Sequence, residues 1–162
     1  MNRHKDTHTY PILIDSLRER FGSRLKLIVL FGSRSRGEAR PESDHDFFLM
    51  IEDLPTDPLA RHRTVTAALL DHLLDLPPGI SLIAKTPEEI TGELTPLLID
   101  VFSDGICLFG EAQFSELQHS ITSALAFSGL QRTRIADTWM WMGPTHSPGT
   151  WEVDWEVTSE RL

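Results

Sequence analysis

The chain has 162 residues, 40% of them hydrophobic, with 15 Lys and Arg against 24 Asp and Glu, a net charge of −9. That length suits one domain with a proper core and is short for two, and the acid excess argues against the basic footprint of a broad nucleic-acid binder. Cys107 is the only cysteine, so an internal disulfide is excluded and a reducing, cytoplasmic setting is expected; no stretch reads as a signal peptide or a membrane span.

Residues 1–8 are polar and include His4 and His8, which read as a loose N-terminus more than as a metal pair. Pro11 suits a first helical turn, and Ile14, Leu17 and Phe21 recur at helical spacing, so a helix is predicted from Tyr10 to a stop at Gly22 and Ser23. Leu27, Ile28, Val29, Leu30 and Phe31 form a continuous apolar run ended by Gly32, the pattern of a strand buried on both faces. Gly32 lets the backbone turn sharply and bring amide groups close to a ligand. If Ser33 begins a helical turn through Arg36, its hydroxyl and the free N–H groups around it can receive phosphate oxygens, with Arg34 and Arg36 adding positive charge.

Residues 37–43 are polar, contain Pro41 and read as a loop. A second strand is predicted over 44–51, with Asp44, Asp46, Phe48 and Met50 at period two, so both carboxylates project from one face. Such a pair repels unless something positive lies between its members. A hard divalent cation such as Mg²⁺, which brings substrate phosphates as further ligands, is one solution; a solvated strand edge is the bland alternative.

Beyond a loop at 52–58, Val65, Leu69 and Leu73 keep a spacing of four, predicting a helix over 59–74 with His62 and His72 at its surface or boundary. Pro77, Pro78 and Gly79 break it, and residues 80–84 form a third strand. Thr86-Pro87-Glu88-Glu89 is a helix start, with a capping hydroxyl, an early proline and acids near the positive helix end. A further helix from Pro96 through Phe102 ends near Gly105, and residues 106–109 form a short apolar strand that packs Cys107. Phe114, Leu117, Ile121 and Leu125 mark an amphipathic helix. All four tryptophans follow: Trp139, Trp141, Trp151 and Trp155. Trp151, Val153, Trp155 and Val157 alternate with acids as in a half-buried strand, for which residues 139–142 are a plausible hairpin partner across 143–149. The hairpin would either pack as a small satellite core or offer aromatic surface to a partner. The chain thus divides into a flexible 1–8, a main domain over 9–110 and a C-terminal extension over 111–162.

The string Gly32-Ser33-Arg34-Ser35-Arg36-Gly37, followed by Ser43-Asp44-His45-Asp46 with ten residues between Ser33 and Asp44, and then by an apolar strand, resembles a known signature. It is that of the minimal nucleotidyltransferases of the DNA polymerase beta superfamily, and within it the MntA-like antitoxins. The resemblance is dense over the signature and thinner to about Gly110. It implies an α/β (α+β) nucleotidyltransferase fold with a mixed sheet flanked by helices, to which the periodicity beyond Glu111 adds a C-terminal helix and hairpin. It also implies that Asp44 and Asp46 are catalytic and hold one or two Mg²⁺ ions, while Gly32 and Ser33 seat the phosphates of an NTP, ATP by family habit. Arg34 and Arg36 become candidate phosphate contacts.

A third carboxylate usually projects from the third strand in that family, and Thr86-Pro87-Glu88-Glu89 sets the register that places Ser81 there. A hydroxyl is a weaker Mg²⁺ ligand and no general base near neutral pH without help. Three readings follow: a slower enzyme relying on Asp44, Asp46 and water, an acid such as Glu88 or Glu89 reaching inward, or chemistry lost with binding kept. The activity implied is transfer of AMP to a hydroxyl acceptor, foremost a partner toxin of the HEPN ribonuclease class. A small molecule such as an aminoglycoside is the alternative acceptor, and a nucleotide- or partner-binding module is the alternative without catalysis.

Overall fold

The computed structural model describes residues 10–91, 94–136 and 138–143. Helix α1 (Pro11–Phe21) starts on Pro11 and turns Leu13, Leu17 and Phe21 inward. Strand β1 (Leu25–Phe31) follows, two residues longer at its start than the apolar run suggested. The short helix α2 (Ser33–Arg36) and strand β2 (His45–Ile51) come next. Helix α3 (Pro58–Thr66) is capped by the Asp57 carboxylate, which accepts from the Ala60 N–H at 2.7 Å.

The helix predicted over 59–74 does not continue to its end. Residues 67–72 tighten into a 3₁₀ turn, where each residue advances about 120° instead of 100°. Val65 and Leu69 therefore stay buried, while Leu73 rotates outward and is 54% exposed.

Among the described residues the main sheet has four strands in the order β3-β2-β1-β4, with β3 (Ile80–Lys85) and β4 (Ile106–Phe109) at its edges. Strand β1 runs antiparallel to β2 and β4, whereas β2 and β3 are parallel, so the sheet is mixed as expected. Side-chain alternation gives each face its own core. On one face Ile28, Leu30, Phe47, Leu49 and Ile51 pack with Tyr10, Leu13, Leu17 and Val65, from α1 and α3. On the other, Leu27, Val29, Phe48 and Met50 meet Ile99, Phe102, Phe114 and Leu117, from α5 (Pro96–Asp104) and α6 (Glu111–Ser128). Burial on both sides explains why β1 reads as an apolar run without alternation and why β2 is apolar on both faces from Phe47 to Ile51.

After α6, strands β5 (Gln131–Ile135) and β6 (Thr138–Met142) pair antiparallel as a separate two-stranded hairpin. Residues 139–142 are thus in a hairpin strand as predicted, but the partner seen is β5. The strand expected over residues 151–157 lies outside the described residues. The Ile121 side of α6 is buried and Leu125 is half-buried, in line with the helical spacing.

Candidate active site

The polar end of the sheet is built by two tight turns, at Gly32 and Gly79, that meet at the start of β2. Gly32 ends β1 with φ +78°, a conformation that L side chains rarely adopt. Its neighbour across the ladder is Asp46, which pairs with Phe31, and a Cβ at Gly32 would stand 2.7 Å from Asp46 Oδ2. The glycine is thus required twice, by backbone and by space. Helix α2 then turns tightly on itself: Arg36 N–H donates to the Gly32 carbonyl at 3.4 Å and Ser35 Oγ to the same oxygen at 3.0 Å. Its first-turn N–H groups, beside the Ser33 hydroxyl, have no helical acceptor of their own.

Asp44 lies one residue before β2 and is exposed, while Asp46, inside the strand, is half-buried. The strand begins later than predicted because the ladder to β3 starts at His45, whose N–H donates to the Gly79 carbonyl at 2.7 Å. Gly79, read from sequence as a mere break, is a second close approach: φ is +74° and a Cβ there would stand 2.6 Å from Asp44 Oδ1. Neither aspartate forms an ion pair among the described residues.

The parallel pairing sets Ser81 directly opposite Asp46, so the two side chains share one face of the sheet. The register inferred for Ser81 therefore coincides with a position beside the carboxylates. Among the described residues no group of three His, Cys, Asp or Glu side chains is placed to hold a metal. What the site offers a hard cation is two unpaired carboxylates and one hydroxyl, an all-oxygen donor set. That set fits Mg²⁺, which keeps several waters and takes phosphate oxygens as further ligands.

Between His45's neighbours the strand alternates its chemistry. The His45 ring turns to the opposite face, is buried there and shares a 2.6 Å hydrogen bond between Nδ1 and the Tyr10 hydroxyl. Asp46 faces the polar end, and Phe48 and Met50 continue on its side into the core. A buried anchor thus holds the strand at the point where the carboxylates leave it.

The two arginines expected at phosphate have protein partners. Arg34 donates from Nη2 to the Ser43 carbonyl at 2.6 Å and from Nε to the Asp44 carbonyl at 3.2 Å, tying α2 to the loop that delivers Asp44. Arg36 donates from Nε to Glu38 Oε2 at 2.9 Å. The hydrogen bond from Arg36 and a further one from Trp139 hold the Glu38 carboxyl below its ordinary range. Sequence reasoning passed over Glu38, since an exposed acid in a polar loop carries no periodic signal.

Glu88 and Glu89 do not reach the carboxylate pair in this arrangement. Helix α4 (Pro87–Ile90) carries a capping box in which Glu89 accepts from the Thr86 N–H at 2.8 Å, and Arg61 Nη1 binds the same carboxylate at 2.8 Å. Partial burial pushes the Glu89 carboxyl up, but the Thr86 N–H and the Arg61 guanidinium outweigh it and hold it below its ordinary value. Cys107 is half-buried, and burial, aided by Glu111, pushes its thiol up to about 12, so it is packed and un-ionised at neutral pH. A pocket of about 390 Å³ between α3 and β3 is lined by Arg61, His62, Lys85 and Glu89 and by none of the site residues. His62 and His72 are exposed, as expected. No helix of the described residues is long and apolar enough to cross a membrane.

The curated "Putative protein adenylyltransferase" of Methanocaldococcus jannaschii is 28% identical over 91 residues, 56% of this chain; the match spans 62% of that protein's length. Among solved structures, a toxin-antitoxin crystal structure with AMP-PNP is similar at 24% identity and a TM-score of 0.51, over 80% of this chain and 90% of that one. A mutant of the toxin-antitoxin MntA-HpeT is similar at 22% identity and a TM-score of 0.51, with the same coverage, and both likenesses concern the fold. The family model described as nucleotidyltransferase domain matches residues 11–106, from the first residue of α1 to the first of β4, and the chain belongs to that family.

Proposed function

We propose that the protein is a Mg²⁺-dependent nucleotidyltransferase that moves AMP from ATP to a hydroxyl group on a partner protein, as the antitoxin of a HEPN-type toxin. The observation that carries this reading is the approach of two carboxylates, Asp44 and Asp46, without an ion-pair partner among the described residues, to the Gly79 and Gly32 backbones beside the Ser33 turn. Support for a protein acceptor comes from the archaeal relative, named as a protein adenylyltransferase, and from structural neighbours that are toxin-antitoxin assemblies, one of them with AMP-PNP.

In this reading Asp44 and Asp46 hold the cation, and Ser81 contributes at most a neutral oxygen. The bound Mg²⁺ would lower the acceptor hydroxyl's pKa and neutralise charge on the leaving pyrophosphate. The N–H groups of the α2 turn and the Ser33 hydroxyl would receive phosphate oxygens. Arg34 keeps the Asp44 loop against that turn. With a serine at the third position, the carboxylate nearest in register for the acceptor's proton is Asp46 itself, which makes a slow enzyme.

A second reading rests on the same serine: the chain binds nucleotide and partner but has lost transfer. The experiment that separates them supplies purified protein, Mg²⁺, each α-labelled NTP in turn and a purified HEPN toxin, beside an Asp44→Asn, Asp46→Asn double variant. Label from ATP on the toxin, absent with the double variant, is the expected result. Tight Mg²⁺-dependent binding without transfer would establish the binding module instead, and absence of both would overturn the site assignment.

A further inference from the structure

Trp139, in hairpin strand β6, lies 101 positions from Glu38 in sequence, yet its indole Nε1 donates to Glu38 Oε1 at 3.3 Å. The other carboxylate oxygen of Glu38 takes the Arg36 Nε at 2.9 Å. One side chain therefore joins the phosphate turn to the C-terminal hairpin. At its other flank the hairpin is fastened to α5: Arg132 pairs with Asp104 and with Asp100, and Trp141 Nε1 donates to Asp100 Oδ1 at 3.0 Å. Arg132 also lies over the Trp139 and Trp141 rings, with centroid distances of 5.0 and 5.6 Å. Trp141 packs on the same core face as Phe48 and Ile83, the face from which Asp46 and Ser81 project.

The guanidinium is planar, and a carboxylate on its Nε side leaves the Nη edge free for bidentate contact with a phosphate. No protein group among the described residues takes the Nη atoms of Arg36, whose side chain is 21% exposed. Glu38 thus does not consume the arginine. It fixes the plane in which the remaining donors lie. We propose that Glu38 is a positioning residue which, held by the Trp139 indole, orients Arg36 and makes the triphosphate affinity of the α2 turn depend on the docked hairpin. This rests on the reading of that turn as a triphosphate site. It gives the C-terminal extension a role beyond packing: a partner that braces or lifts the hairpin changes nucleotide binding at the turn.

Trp139→Phe in the full chain tests it, because an aromatic ring and both charges stay while the indole N–H donor goes. Binding of AMP-PNP with Mg²⁺, followed by calorimetry, should weaken about two- to fivefold, the scale of an exposed ionic contact losing its geometry. In an Arg36→Ala background the same substitution should weaken binding no further, since the cycle then has nothing to orient. The Trp139 indole N–H resonance, identified by its loss in Trp139→Phe, should shift in Glu38→Gln without nucleotide and in the unaltered chain on adding AMP-PNP. Equal weakening with and without Arg36, unchanged or tighter binding, or an indole resonance indifferent to Glu38→Gln would each overturn the coupling. If the unaltered chain binds no AMP-PNP, the triphosphate reading falls and takes the proposal with it; binding with a flat cycle defeats the coupling alone.

Discussion

In the proposed reaction Ser81 is the deciding residue, because the β2–β3 ladder places its neutral hydroxyl opposite Asp46 where an acid would crowd the two carboxylates. Ser81→Asp should therefore lower the thermal midpoint in EDTA, through like-charge repulsion, and recover it on adding Mg²⁺. Its transfer rate should rise above that of the unaltered chain, checked by initial rates with labelled ATP; a midpoint indifferent to Mg²⁺ would place Ser81 away from any metal. Arg34 makes a different prediction. Its two bonds to the Ser43 and Asp44 carbonyls act on the loop, so Arg34→Ala should cost about 1–3 kcal/mol in urea unfolding and lower transfer with it. A loss of AMP-PNP affinity at unchanged stability would instead make Arg34 a phosphate contact. At this scale the sequence was legible for the meeting of Gly32 and Ser33 with Asp44 and Asp46 at one end of the sheet, because a strand, a glycine turn and a second strand follow one another within a few residues. It was silent on Glu38 and Gly79, whose importance comes from contacts made at a distance.

Helix starts and strand cores followed local rules, and the elements differ in how far those rules reach. Thr86-Pro87-Glu88-Glu89 contains its whole explanation within one turn, and α4 begins there with its capping box. Because the folded Glu89 carboxyl titrates below its ordinary value of 4.5, its contribution is present above that pH and is lost as pH falls through the folded value. Replacing Glu89 by Gln should thus open a gap in thermal midpoint that is widest near neutrality and closes under acid, measured by scans from neutral pH downward. The side chain is 35% exposed, so solvent screening keeps the gap small. The segment predicted as one helix over 59–74 shows where a local rule stops. Its spacing of four fits an α-helix, but the 3₁₀ turn over 67–72 changes the angular step, and nothing in the apolar pattern announces that change.

Across the whole molecule the sheet separates two cores, and Phe48 sits wholly inside the one shared with α5 and α6, edge-on to Phe102 at a ring distance of 6.2 Å. Phe48→Ala should cost about 3–5 kcal/mol in urea unfolding, a large share of a domain's total stability. Leu74, fully exposed at 101%, should tolerate the same change within about 0.5 kcal/mol, which checks that the loss at Phe48 is one of burial. The amino-acid sequence by itself determined the four strands of the main sheet, most helix boundaries and the Gly32 to Asp46 signature, because apolar periodicity, glycine and proline act within a few residues. Only the tertiary structure decided that β2 and β3 run parallel with Ser81 opposite Asp46, that Arg34 holds the Asp44 loop, and that β5 pairs with Trp139 while Glu38 bridges it to Arg36. Those pairings join residues far apart in the chain, and their energies come from surfaces that meet only once the sheet has formed.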